Sequence, residues 1–183
     1  MSTGNPVKVY FCGMIGSGKT SIGRPLADAL KLPFFDLDDE MDKILGYSFH
    51  KLVKEKGWVA FRELEYDICK TFARQQEGIF GLGGGTVRYQ WNMDILKGTG
   101  LMILLTADPE VLIQRVSLAD RPRVNRETTL EEDIRLLWKN HRQQYFNAAD
   151  IHYATDQKEI GQEIAELKEI IVKWHASAQL FFR

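Results

Sequence analysis

Cysteine is scarce. Cys12 and Cys69 are the two in 183 residues, which excludes a disulfide framework and leaves no metal-ligand spacing. Cys12 falls within an apolar run and reads as a buried, reduced thiol. An excess of one charge is also missing. The net charge of −1 provides no general field toward nucleic acid or an anionic membrane, so neither is expected as a partner. No apolar run is long enough to span a bilayer. The opening "MSTGNPVKVYF" lacks a charged segment followed by a long apolar one, so a signal peptide is not expected and a cytoplasmic protein is. Repeats, linkers and low-complexity segments are absent as well. What is present is an ordinary globular mix, 44% hydrophobic and 27% charged. Its length suits one domain with a sizeable core.

Strand-like and helix-like stretches alternate along the chain. "VKVYFC" (Val7–Cys12) is β-branched and aromatic and ends at a glycine, as a buried strand does. "KTSIGRPLADALKL" follows with helical spacing, and Pro25 predicts a bend because it crowds the carbonyl of Ser21. "LPFFDLD" reads as a short strand ending in acids. Asp38 to Gly46 is a helix stopped by its glycine. Ser48 caps "FHKLVKEKG", which Gly57 ends, and a longer amphipathic helix begins at Trp58. "GIFGLGGG" and "LMILLTAD" are buried strands, and Pro109 opens the next helix. "LEEDIRLLWKNHRQQYFNAA", "IHYAT" and "EIGQEIAELKEIIVKWHA" complete the alternation as helix, strand and helix. The pattern predicts an α/β fold with a parallel sheet covered on both faces. The tail "SAQLFFR" is apolar and is expected to pack down, with contact to another protein as the alternative.

"GMIGSGKTS", Gly13 to Ser21, matches G-x-x-x-x-G-K-S/T through Gly13, Gly16, Gly18, Lys19 and Thr20. It follows a strand and opens a helix, the context a phosphate loop requires. Glycines let backbone N–H groups curl around phosphate oxygens, and the helix N-terminus adds positive partial charge. Lys19 is expected at the β- and γ-phosphates and Thr20 on Mg²⁺, with Ser17 and Ser21 in the same loop.

Ligands of such a sheet sit beyond the carboxyl ends of its strands. "DLDDE" places Asp36 and Asp38 two apart, pointing the same way if the strand end is extended. One acid near Mg²⁺ can hold a metal-bound water; another can accept a hydroxyl proton. Asp39, Glu40 and Asp42 read as a solvated acidic face. Three glycines, Gly83 to Gly85, suit either close backbone approach to a ligand or a plain flexible turn. Arg62 and Arg142 are ambiguous singly; an arginine pair can grip a carboxylate in bidentate geometry. "ADRPRVNRE" carries Arg121, Arg123 and Arg126 around the helix-breaking Pro122, as a lid closing over phosphates would.

Together, "GMIGSGKTSIG", "FFDLDDEMDKILGYSFHKLVKEKGWVAFRELE", "GLGGGTV", "ADRPR" and "HRQQYFNAAD" resemble shikimate kinase, from about Val7 to Tyr153. The phosphate loop is common to many kinases; the D-x-D, F-R-x-x-E, G-G-G and R-P set is far more specific. The resemblance implies a five-stranded parallel P-loop kinase fold of the nucleoside monophosphate kinase group. It implies one domain over residues 1–183, with a substrate-binding region at about 37–64 and a lid at about 116–127. Its substrates would be ATP and shikimate, its cofactor Mg²⁺, its state a monomer. Asp36 would hold Mg²⁺ largely through water, and Asp38 would orient or deprotonate the attacking hydroxyl. Arg62 and Arg142 would clamp the carboxylate, and Gly83, Gly84 and Gly85 would contact substrate. Arg121 would meet the transferring phosphate, and Arg115 would lie near the adenine. Two stretches depart from the family: "RPRV" stands where R-P-L-L is usual, and "HRQQY" where R-x-P-L-Y is.

Other acceptors stay open on the residues alone. A gluconate kinase shares the loop and the sheet. A nucleoside monophosphate kinase would need a larger acceptor pocket and a second phosphate clamp. A non-catalytic nucleotide-binding regulator is the reading that the two departures keep alive.

Overall fold

The computed structural model describes residues 6–117 and 128–181, with side chains through residue 177. Among the described residues, five strands form one parallel sheet in the order β2-β3-β1-β4-β5. They are β1 (Lys8–Cys12), β2 (Phe34–Asp36), β3 (Gly78–Gly81), β4 (Leu101–Thr106) and β5 (Ile151–Ala154). The helices between them are α1 (Lys19–Leu30), α2 (Leu37–Leu45), α3 (Phe49–Arg74), α4 (Gln90–Leu96), α5 (Pro109–Val116), α6 (Leu130–Ala148) and α7 (Ile160–Phe181). A 3₁₀ turn, Thr86–Arg88, lies between β3 and α4.

Period-two alternation sends β1 side chains into two separate core layers. Tyr10 and Cys12 join Phe80, Met102 and Leu104 under α3, α4 and α6. Val9 and Phe11 join Ile79, Ile103 and Leu105 under α1 and α7. Every β1 residue is buried. Each large apolar side chain taken from water contributes about 1.5–3 kcal/mol, so this central strand anchors both layers.

Register brings the working ends of the strands level. Phe11 pairs with Gly81, and Asp36 pairs with Gly81 from the other side. The chain leaves β1 toward β2 but leaves β3 toward β4, so the order of strands reverses between β1 and β3. A crevice opens at such a switch point, outside the carboxyl ends. The loops bordering it are Gly13–Gly18 and Gly83–Gly85. A Cβ added to Gly84 would stand 3.3 Å from the backbone nitrogen of Ile15, so the two loops nearly touch.

Several helix boundaries follow the predicted signals. Ser48 Oγ accepts from the His50 N–H, Gly46 ends α2 in left-handed geometry, and Asp108 caps α5 with Pro109 behind it. Helix α1 continues through Pro25, and the carbonyl left without a partner belongs to the exposed Ser21. Gly57 ends the first helical segment of α3 as predicted, and its φ of 80° and ψ of −178° form the joint beyond which the second segment begins. No helix among the described residues is long and apolar enough to cross a membrane.

Candidate active site

The phosphate loop is shaped from below. Gly13 has φ 140°, and a Cβ there would strike the carbonyl oxygen of Leu105 and come within 2.7 Å of Ser17 Oγ. Ser17 is wholly buried. Its N–H donates to Met14 O at 3.2 Å, and its carbonyl accepts from Thr155 Oγ1 at 3.1 Å. Gly13 and Ser17, expected among the ATP contacts, therefore lie beneath the loop and set its curvature. Gly16, Gly18, Lys19, Thr20 and Ser21 line a groove of about 660 Å³. Lys19 Nζ folds back over the loop, donating to Gly13 O and Met14 O at 2.9 Å each.

Arg115 forms part of the same groove wall. It donates to Gly16 O at 3.3 Å, to Thr155 Oγ1 at 3.0 Å and to Thr155 O at 2.5 Å. It thus ties the phosphate loop to the connection between β5 and α7. Glu163 also lines the groove, and burial pushes its carboxyl above the usual carboxylate range.

Asp36 and Asp38 both line this groove, but not from the extended strand end predicted for them. Helix α2 begins at Leu37, so Asp38 is already helical and Asp36 is the N-cap. Asp36 Oδ1 accepts from the Asp38 N–H at 3.0 Å, and its Oδ2 accepts from Thr20 Oγ1 at 2.6 Å. Acids at this first turn are favoured by the helix dipole. Asp36 faces the groove only. Asp38 lines both the groove and a second cavity, and Ile15 and Gly84 share that boundary.

The second cavity measures about 130 Å³, and Asp38, Phe49, Trp58, Arg62, Gly83–Gly85 and Arg88 are among its walls. Its organiser is Glu65, fully buried. Both Glu65 oxygens accept from Arg62 Nη1 at 2.8 Å. Oε1 also accepts from Thr86 Oγ1 at 2.8 Å, and Oε2 from Asn92 Nδ2 at 3.1 Å. One carboxylate thus fixes Arg62 on α3 and the turn that follows the triple glycine. On the far side, Tyr145 Oη donates to Gly84 O at 2.5 Å. Burial pushes the Tyr145 hydroxyl up to about 12, so it stays a donor.

Arg62 and the three glycines meet in this cavity as expected; Arg142 does not join them. It is exposed on α6 and lines a different depression with Asp108, Glu110, Arg135, Trp138 and Lys139. The register explains the miss. In R-x-P-L-Y the arginine stands four residues before the tyrosine, and that position before Tyr145 is His141. Arg142 is one residue further on, about 100° around the helix. The lid residues Arg121, Arg123 and Arg126 lie outside the described residues. Glu65, Arg88 and Tyr145 were not singled out from sequence. Glu65 closes F-R-x-x-E and Tyr145 closes the helix pattern, so both had a signal; Arg88 had none beyond following the glycines.

A phosphate loop feeding a long groove, with a small second cavity behind a shared aspartate, defines a P-loop kinase for a small acceptor. The shikimate kinase family model matches residues 15–172, and the chain belongs to that family. Shikimate kinase of Chlorobium luteolum is 34% identical over 167 residues, 87% of this chain and 82% of its own length. The structure of shikimate kinase from Acinetobacter baumannii in complex with shikimate has a TM-score of 0.84 at 26% identity, over 92% of this chain and 94% of that one. A gluconokinase from Sinorhizobium meliloti has a TM-score of 0.58 at 13% identity, covering 98% and 99%. That likeness is one of fold alone.

Proposed function

We propose that the protein transfers the γ-phosphate of ATP to the 3-hydroxyl of shikimate, giving ADP and shikimate 3-phosphate. The observation that carries this reading is Asp38, whose side chain borders the phosphate groove and the small cavity together. A hydroxyl held at that boundary faces the γ-phosphate. In the step, the hydroxyl oxygen bonds to phosphorus, the bond to the β,γ-bridging oxygen breaks, and Asp38 accepts the hydroxyl proton. Little covalent work is asked of the protein; positioning and charge neutralisation dominate. Lys19 follows the developing charge on the phosphates. Arg62, held by Glu65, presents its guanidinium to the acceptor's carboxylate, and Gly83–Gly85 allow the ring to lie close to the backbone. The acceptor cavity, about 130 Å³ beside a groove of about 660 Å³, favours a small acid over a nucleotide.

Magnesium fits the groove's edge. The Thr20 hydroxyl and the Asp36 carboxylate are hard oxygen donors 2.6 Å apart, and Mg²⁺ takes one or two such groups beside phosphates and retained waters. Thr20 would hold it directly and Asp36 through water. When bound, Mg²⁺ supplies charge neutralisation at the β- and γ-phosphates. Arg121 completes the reading as the lid arginine at the transferring phosphate, Arg115 as a neighbour of the adenine. We place the enzyme in the cytoplasm as a monomeric single domain, with neither nucleic acid nor membrane as partner.

The test is ADP release from Mg-ATP with and without shikimate, with the product weighed and gluconate as comparator. Shikimate-dependent ADP with a product one phosphate heavier is expected. Turnover of gluconate in its place, or ATP binding with no acceptor-dependent ADP, would overturn the reading.

A further inference from the structure

We propose that Arg88 is the second cation of the acceptor-carboxylate clamp; the inference rests on the shikimate reading above. Arg88 ends the 3₁₀ turn directly after the triple glycine, and that turn is fixed from beneath. Thr86 Oγ1 donates to Glu65, and Asn92 Nδ2 donates to Thr86 O at 3.1 Å. The Arg88 side chain folds back over Gly85. A Cβ on Gly85 would collide with Arg88 Nη2 and stand 3.1 Å from Arg62 Nη2. Two guanidinium groups therefore converge on one point of the cavity wall.

Their charges are not equally met. Arg62 has both oxygens of Glu65. Arg88 has no carboxylate within ion-pair distance among the described residues, and the Nε of each arginine is buried without a hydrogen-bond partner, so both retain a donor for a ligand. Asp133, which α6 contributes to the same wall, accepts from Thr128. An unpaired guanidinium at a partly buried wall is costly, and a second one beside it adds repulsion. A planar carboxylate between them removes both penalties and accepts from two forks at once. The arm that the family pattern draws from α6 is thus replaced by one from the turn after β3, which accounts for a histidine at position 141 and an exposed Arg142.

Steady-state kinetics with shikimate and its methyl ester test this on the wild type, Arg88→Ala, Arg88→Lys and Arg142→Ala. No turnover of shikimate by the wild type would remove the parent reading and this inference with it. With the wild type active, Arg88→Ala should raise the KM for shikimate about 10- to 100-fold, the range for a hydrogen bond to a charged group, and leave the KM for ATP unchanged. Arg88→Lys should recover part of the loss, and Arg142→Ala should behave as wild type. The preference for shikimate over its uncharged ester should shrink in Arg88→Ala. An unchanged shikimate KM, or an ester preference as large as in the wild type, would overturn the assignment and leave the parent reading standing. Should Arg88→Ala fail to fold by thermal melting, Arg88→Lys decides alone: a raised shikimate KM supports the clamp, and a wild-type KM with wild-type ester preference refutes it.

Discussion

Glu65 places both carboxylate oxygens 2.8 Å from Nη1 of Arg62, one helical turn earlier on the same helix. The pair is buried, Arg62 at 14% side-chain exposure and Glu65 at 0%. Removing one partner of a buried ion pair typically costs about 3–5 kcal/mol. Glu65→Ala should lose stability in that range by urea denaturation, and the shikimate KM should rise because Arg62 is no longer aimed. Glu65→Gln should fall between, since its amide keeps one acceptor oxygen and turns donors toward donors. A wild-type denaturation midpoint in Glu65→Ala would show that the cluster is not the organiser of the cavity.

Tyr145→Phe keeps the ring and deletes the hydrogen bond to Gly84 O. The expected loss is about 1 kcal/mol of stability, with a rise in shikimate KM as the glycine turn loosens. Equilibrium unfolding and acceptor kinetics on the same preparation check both halves. A stability loss without a kinetic change would mean that the turn is held elsewhere.

Lys19 reaches two loop carbonyls and lines the groove. Losing a donor to developing charge costs roughly 10²–10³ in turnover, so Lys19→Ala should lose at least that much kcat. Wild-type turnover from that variant would end the assignment of Lys19.

Both thiols are buried and free. Burial pushes Cys12 up to about 12 and Cys69 higher still, from an ordinary value of 9.0. Neither should react with a thiol reagent at pH 8 in the folded protein, and both should react once it is unfolded. The sign of the linkage follows. The folded chain keeps these protons where the unfolded chain releases them, so the stabilising contribution is full below about pH 9 and is lost as pH rises above it. Denaturation midpoints should fall above that pH, and Cys12→Ala should lessen the fall. Tyr145, raised by burial in the same way, leaves part of it in place.

The sheet was legible because its strands are short apolar runs that end in glycine or acid, as in "VKVYFC" and "GIFG". The order of those strands was not, since any of several parallel arrangements buries the same side chains. The phosphate loop was legible because its chemistry is local: Gly13 to Thr20 are consecutive, and their context is one strand and one helix. The acceptor cavity depends on groups that come together only through packing. Arg62 was found through F-R-x-x-E. Arg142 was misplaced because a shift of one residue on a helix turns a side chain to another face. Arg88 was missed because its position over Gly85 follows from a turn whose geometry is fixed by Glu65 and Asn92, residues 23 and 4 positions away in sequence. Asp36 and Asp38 were read as extended residues pointing one way, but the strand ends at Asp36, two residues sooner than that reading assumes.

The joint at Gly57 joins the arm bearing Phe49 to the arm bearing Trp58, Phe61 and Arg62. Its surroundings are empty: a Cβ there would meet nothing within 4 Å. What keeps other residues out is handedness, not room. Reflected in a mirror, its φ of 80° and ψ of −178° are ordinary extended backbone. A D-alanine installed by chemical ligation should therefore fit where L-alanine strains. It should stabilise the fold by about 0.4–1 kcal/mol through a less flexible unfolded chain. The angle between two walls of the acceptor cavity is thus set by one achiral residue in a chiral chain.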